Sequence, residues 1–243
     1  MKTALVTGGA GGIGAAAVKK LCENGFSTAI NYFSSEERAF ALSSELVSMG
    51  YDAFAVKADV SDPQQVKSML DTVIKRCGRI DVLVNNAGIA RQQLFDTVTD
   101  DEWRHMLDCD LTGAFYCCRE ALPYMLRAKY GRIINIASMW GQVGASCEVA
   151  YSAAKSGVIG MTKALAKEVG LAGITVNCVS PGAIATDMMA QFTDEDIAAL
   201  CEEIPLGRLG TPNDVAGVIA FLAGDGASYI TGQTIGVNGG MVV

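Results

Sequence analysis

Seven short apolar runs, most of them rich in Val and Ile, alternate with longer amphipathic stretches along the whole chain. A strand covered on both faces reads as a near-continuous apolar run, and a helix between two such runs is what a parallel crossover requires. The alternation predicts strands near Thr3–Thr7, Ser27–Tyr32, Asp52–Lys57, Asp81–Asn85, Arg132–Ser138, Thr175–Ser180 and Thr234–Val237. Right-handed crossovers send the intervening helices to both faces of one sheet, a doubly wound α/β architecture. Helix starts are read at Ser61-x-x-Gln64 with Pro63 in the first turn, at Thr99-x-x-Glu102, and at Thr211-Pro212 with Asp214. No repeat, low-complexity tract or linker divides the chain, so residues 1–243 are expected to form a single domain.

Composition then removes whole classes of function. The 19 basic residues against 26 acidic leave a net charge of −7, and the longest basic stretch, Arg127-Ala-Lys129-Tyr-Gly-Arg132, is too short to track a phosphate backbone. The single histidine, His105, lies on a polar helical stretch, which leaves little for Ser-His-Asp or Cys-His catalysis or for a multi-histidine metal site. Eight cysteines with no C-x-x-C spacing fit free thiols in a reducing compartment. The apolar start Ala4-Leu5-Val6 breaks at Thr7-Gly8-Gly9, and no segment approaches the ~18 apolar residues of a membrane span. A cytoplasmic protein is expected, with no metal and no nucleic-acid or membrane partner.

In a doubly wound sheet, ligands sit beyond the carboxyl ends of the strands, so the residues just after each strand carry the functional signal. After the first strand comes Thr7-Gly8-Gly9-Ala10-Gly11-Gly12-Ile13-Gly14, opening a helix at about Ile13. It fits G-x-G-x-x-G at Gly9, Gly11 and Gly14, and T-G-x-x-x-G-x-G at Thr7, Gly8, Gly12 and Gly14. Such glycines let the chain turn sharply and let a pyrophosphate approach bare backbone at a helix N-terminus, the Rossmann-like dinucleotide site. An NAD site usually has an acidic residue at the end of the second strand, where this chain has Asn31-Tyr32-Phe33-Ser34-Ser35. Hydroxyls without a carboxylate favour the 2′-phosphate of NADP(H), with Arg38 as a possible partner. NAD(H) stays open, because Gly11 stands where NADP enzymes often carry Arg or Lys.

The later strand ends read Val84-Asn85-Asn86-Ala87-Gly88, then Asn135-Ile136-Ala137-Ser138, then Pro181-Gly182-Ala183-Ile184-Ala185-Thr186, and Tyr151-Ser-Ala-Ala-Lys155 opens a helix. Together with the glycine loop these motifs, in this order and spacing, resemble the short-chain dehydrogenase/reductase family across nearly the whole chain. The resemblance implies hydride transfer between a nicotinamide nucleotide and a ketone or secondary alcohol. Ser138, Tyr151 and Lys155 would be its catalytic residues. Residue chemistry agrees: Tyr151 and Lys155, four apart, share one helix face, and an ammonium beside a phenol favours the phenolate. Each unit of pKa is worth about 1.4 kcal/mol, and such a shift would suit Tyr151 as an acid for ketone reduction and a base for the reverse. Ser138 would donate to the substrate oxygen as charge develops there.

The cofactor positions implied in the same way are Gly8, Gly12, Ile13, Gly14, Asn31, Ser34, Asp59, Val60, Asn85, Ala87, Gly88, Tyr151, Lys155, Pro181, Gly182, Ile184 and Thr186. Asp59 would meet the adenine, Asn85 steady the central strand, and Ile184 and Thr186 meet the carboxamide. One departure stands out: the family's Asn of an N-x-x-G run, which helps a proton relay to the lysine, is Asp110 here. Asp110 can substitute if the relay uses the main-chain carbonyl, and its carboxylate would help keep Lys155 charged.

Length, Pro205-x-Gly207-Arg208 and the Gly-Gly-Met ending are similar to bacterial 3-oxoacyl thioester reductases, whose ketone is carried on acyl carrier protein or CoA. The stretch Trp140-Gly-Gln-Val-Gly-Ala-Ser-Cys147-Glu-Val instead resembles reductases of a ketone-modified lysine on elongation factor P. Both substrates stay open, as does a nucleotide-sensing protein that has lost turnover. The family is commonly a homotetramer, with long helices around Asp101–Ala128 and Tyr151–Gly170 pairing across subunits. Met188, Met189 and Phe192 form either an apolar lid or core.

Overall fold

The computed structural model describes residues 1–187, 189 and 192–243. Met188 of the expected lid lies outside the described residues. All seven expected strands form: β1 (Thr3–Val6), β2 (Ser27–Tyr32), β3 (Ala53–Lys57), β4 (Val82–Asn85), β5 (Gly131–Ile136), β6 (Ile174–Pro181) and β7 (Thr234–Val237). They make one parallel sheet in the order β3-β2-β1-β4-β5-β6-β7. Between them run α1 (Gly12–Glu23), α2 (Glu36–Ser48), α3 (Pro63–Cys77), α4 (Asp100–Leu107), α5 (Gly113–Ala128), α6 (Trp140–Val143), α7 (Val149–Val169), α8 (Asp194–Glu203) and α9 (Pro212–Ala223).

The central strands are buried at every position because both of their faces are covered. β1 sends Ala4 and Val6 to one side and Leu5 to the other. β4 does the same with Val82 and Val84 against Leu83, and β5 with Ile134 and Ile136 against Ile133. The first side is closed by Val18 and Leu21 of α1, Leu42 and Leu46 of α2, and Val215 and Ile219 of α9. The second is closed by Met69 and Leu70 of α3, Cys117 and Met125 of α5, and Val169 of α7. Each large apolar side chain fully buried this way contributes about 1.5–3 kcal/mol, so the double coverage fixes which helices sit on which face.

The capping boxes at Thr99 with Glu102 and at Thr211 with Asp214 form as expected. The cap of α3 does not: Asp62, not Ser61, accepts from the backbone N–H groups of Gln64 and Gln65, at 2.8 and 3.2 Å. A full negative charge is the better partner for a helix N-terminus, and Ser61 donates instead to Asp59 Oδ1 at 2.7 Å. The expected long helix around Asp101–Ala128 is also interrupted, by a π-helical turn at Asp108–Thr112 between α4 and α5. His105 is exposed, and all eight cysteines are free. Among the described residues, no helix is long and apolar enough to cross a membrane.

Candidate active site

β1 hands the chain to β2 on one side and pairs with β4 on the other, so a crevice opens beyond their carboxyl ends. A cleft of about 1260 Å³ lies there. Its floor is the glycine turn. Gly8 has φ +59, and a Cβ on it would stand 2.9 Å from Ala87 Cα, so no other residue fits that turn without strain. The turn is held from both neighbouring strands. Asn31 at the end of β2 accepts from Gly8 N at 3.2 Å, and Asn86 after β4 donates from Nδ2 to the carbonyls of Thr7 and Gly8, both at 3.0 Å. Thr7 Oγ1 in turn accepts from the N–H groups of Asn86 and Ala87, each at 3.0 Å.

Above this turn α1 begins with no side-chain cap, leaving its first-turn N–H groups directed to the cleft. A Cβ at Gly11 or Gly12 would find its nearest neighbours 3.8 and 3.3 Å away, at the tips of Arg38 and Thr186. The open space beside Gly11, against bare backbone, suits a pyrophosphate, while Gly12 is held bare by its φ of +50 and by Thr186. Arg38 pairs with Asp187 across this mouth.

Of the expected cofactor residues, Gly8, Gly12, Ile13, Asn31, Ser34, Asp59, Val60, Ala87, Gly88, Pro181, Gly182, Ile184 and Thr186 line the cleft. Two stand behind its wall. Gly14 is buried, and its missing Cβ lets α1 seat on the turn, since one would lie 2.2 Å from the Gly8 carbonyl oxygen. Asn85, still inside β4, points into the sheet and donates to Asn135 Oδ1 at 2.8 Å. Asn135 passes the chain on to Thr162 Oγ1, also at 2.8 Å. Asn86 was not singled out. As the first residue past β4 it is free to turn toward the crevice, a signal available from the strand boundary alone.

Ser138, Tyr151, Lys155 and Asp110 converge on the other end of the cleft from three elements of the fold. Ser138 follows β5, and its Oγ accepts from Trp140 N at 3.2 Å. Tyr151 and Lys155 stand on the same face of α7, with Lys155 Nζ 5.5 Å from the phenol ring centre. Nζ also donates to the Ile136 carbonyl at 3.3 Å. The π turn brings Asp110 inward, where Oδ2 lies 3.0 Å from Nζ with the two side chains only 0% and 5% exposed. That approach is an ion contact off the line of a good hydrogen bond, and Oδ1 is held separately by Ile89 N at 2.8 Å. A Cβ at Gly88 would sit 2.8 Å from Oδ2, so the pair fits only because residue 88 has none.

Burial works to discharge Lys155, but Asp110 and Tyr151 outweigh it and hold its pKa above the ordinary lysine value. Tyr151 moves the opposite way to the sequence expectation. Lys155 and a hydrogen bond with Ser138 do pull the phenol down, but burial, Asp110 and Glu148 push harder and leave its pKa raised. Glu148, immediately before α7, is part-buried at the cleft and its carboxyl is pushed up by desolvation, against a contact from Gln92 Nε2 at 3.3 Å. Met189 and Phe192 also line the cleft, as a lid would.

The family model described as enoyl-(acyl carrier protein) reductase matches residues 8–242. The 3-oxoacyl-[acyl-carrier-protein] reductase of Staphylococcus aureus is 47% identical over 240 residues, covering 99% of this chain and 98% of its own. That of Synechocystis is 46% identical over 243 residues, 100% of this chain and 97% of its own. The Vibrio harveyi enzyme is 43% identical over 240 residues, with 99% and 97% covered. With likeness running through both the glycine turn and the far end of the cleft, this chain belongs to the short-chain dehydrogenase/reductase family.

Proposed function

We propose that this protein is an NADPH-dependent reductase of the 3-oxo group of an acyl chain carried on acyl carrier protein, with Ser138, Tyr151 and Lys155 as its catalytic residues. Family membership implies a nicotinamide cofactor. The observation that carries the rest is the meeting of a buried lysine, a phenol and a serine hydroxyl at one end of a cleft whose other end is bare glycine backbone. Gly8, Gly12 and Ile13 would hold the pyrophosphate, and Ile184 and Thr186 the carboxamide. When bound, the dihydronicotinamide supplies the hydride. Ser138 Oγ–H donates to the ketone oxygen as negative charge builds on it. Tyr151 Oη gives that oxygen its proton, and the Lys155 ammonium stabilises the phenolate left behind. Arg38, whose guanidinium reaches the space beside Gly11, is the cation for a 2′-phosphate, with Ser34 on the same wall.

A second reading, reduction of a ketone-modified lysine on elongation factor P, is favoured by Glu148. A part-buried carboxylate beside Tyr151 suits a substrate that brings an amine, which a neutral pantetheine arm does not. Steady-state consumption of NADPH and NADH with acetoacetyl-acyl carrier protein tests the first reading. The expected result is turnover with NADPH preferred, lost at least 1000-fold in Tyr151→Phe while dinucleotide binding persists. Binding of NADPH without reduction of any carbonyl, or equal turnover in Tyr151→Phe, overturns it.

A further inference from the structure

Tyr151 faces four groups: Lys155 on its own helix, Glu148 just before it, Ser138 after β5, and Asp110 on the π turn. Lys155 faces Asp110, Tyr151 and Cys178 of β6. With an amide at residue 110 the Lys155 ammonium, still favoured by Tyr151 and by the Ile136 carbonyl at 3.3 Å, would face the phenol uncompensated. The carboxylate at 3.0 Å from Nζ, in a pair that is almost wholly buried, cancels that charge where little solvent screens it. The carboxylate cannot drift away, since Ile89 N anchors Oδ1 and the π turn fixes its backbone.

Resting on the reductase reading above, we infer that Asp110 is a positioning residue that neutralises the Lys155 ammonium and keeps Tyr151 in its proton-donating form, setting the site for carbonyl reduction over alcohol oxidation. The geometry is specific to charge. An amide has the same shape as the carboxylate, so Asp110→Asn removes the charge and leaves the space filled. Burial is the main reason the phenol is raised in the native protein, and Asp110 adds to it. Glu148 acts in the same direction from the cleft mouth, and Ser138 and Lys155 oppose it.

Two measurements test the assignment. In Asp110→Asn, the alkaline limb of kcat/KM for ketone reduction should move to lower pH by about one unit or more, the usual effect of changing one charge within a few ångströms. Alcohol oxidation at neutral pH should rise relative to reduction. A limb that stays in place or moves to higher pH overturns the inference. Independently of turnover, the Tyr151 ring-carbon NMR resonance, assigned by its loss in Tyr151→Phe, should titrate well above neutrality in the native protein and about one unit lower in Asp110→Asn. A native phenol that titrates at or below pH 7 refutes the inference even if the variant does not fold, and an inactive native protein with the expected titration refutes the reductase reading alone.

Discussion

Replacing Gly14 by alanine puts a methyl group 2.2 Å from the Gly8 carbonyl oxygen and 2.6 Å from Asn86 Nδ2, where ordinary contact begins at 3.4 Å. Neither neighbour is a flexible tip, so α1 or the glycine turn must retreat by about 1 Å. Overpacking of this kind costs about 1–3 kcal/mol. The retreat also breaks the two hydrogen bonds from Asn86 to Thr7 and Gly8, each worth ~1 kcal/mol. A total of about 3–5 kcal/mol lowers the melting temperature of a chain this long by roughly 6–20 °C. Dinucleotide affinity should fall by about 100-fold, because the first-turn amides of α1 move with the helix. Gly11→Ala is the control. Its φ of −159 is ordinary extended backbone, and the nearest atom to the new methyl is the Arg38 tip at 3.8 Å, so its melting temperature should stay at the wild-type value. Scanning calorimetry and fluorescence titration with NADPH read the two effects. A Gly14→Ala protein that melts and binds like the wild type refutes the account of the turn.

Glu148→Gln should leave reduction of a neutral 3-oxoacyl thioester within about twofold and weaken any amine-bearing ketone by roughly tenfold or more in kcat/KM. Equal losses on both kinds of substrate would remove the amine reading. Asp214 accepts from the Arg208 guanidinium and from the backbone and hydroxyl of Thr211, which together hold its carboxyl well below the ordinary aspartate range. A depressed folded-state pKa contributes stability above the unfolded pKa near ~3.9 and loses it as pH falls. The gap in urea midpoint between wild type and Asp214→Asn should therefore shrink between about pH 6 and about pH 2.5. A gap that widens in acid contradicts the assignment.

The sheet was legible because its signal is local: each strand is an apolar run that must be covered twice, as Leu5 and its neighbours Ala4 and Val6 show. The wall of the cleft followed from one rule, that residues past strand ends face ligands. Asn85, still inside β4, and Gly14, already inside α1, stand behind the wall, where Asn85 steadies the sheet through Asn135 and Gly14 lets the helix seat on the turn. The α3 cap was misplaced by one residue because Ser61 and Asp62 both suit the position, and only three-dimensional competition for Asp59 separates them. The π turn left no mark on the periodicity, since one extra residue in a helix is cheap locally. Its consequence, a carboxylate against Lys155, depends on the absence of a side chain at Gly88, which is 22 positions away in the chain. The raised phenol was missed for a related reason: spacing places Lys155 beside Tyr151 but says nothing of how deeply both are buried.

The pairing of β1 with β4 has a meaning for the chain as it is made. β1 leaves the ribosome first, β2 can join one of its edges soon after, and β3 then joins β2. Its other edge waits for Val82–Asn85, and so do Thr7 and the carbonyl of Gly8, whose partners Asn86 and Ala87 come later still. Through that interval the nascent segment carries an open edge on a largely apolar strand and no finished nucleotide site. A bound dinucleotide therefore cannot guide the early steps of synthesis. Slowing translation ahead of β4 should increase capture by chaperones, while speeding it through β4 should close the edge before it finds another chain.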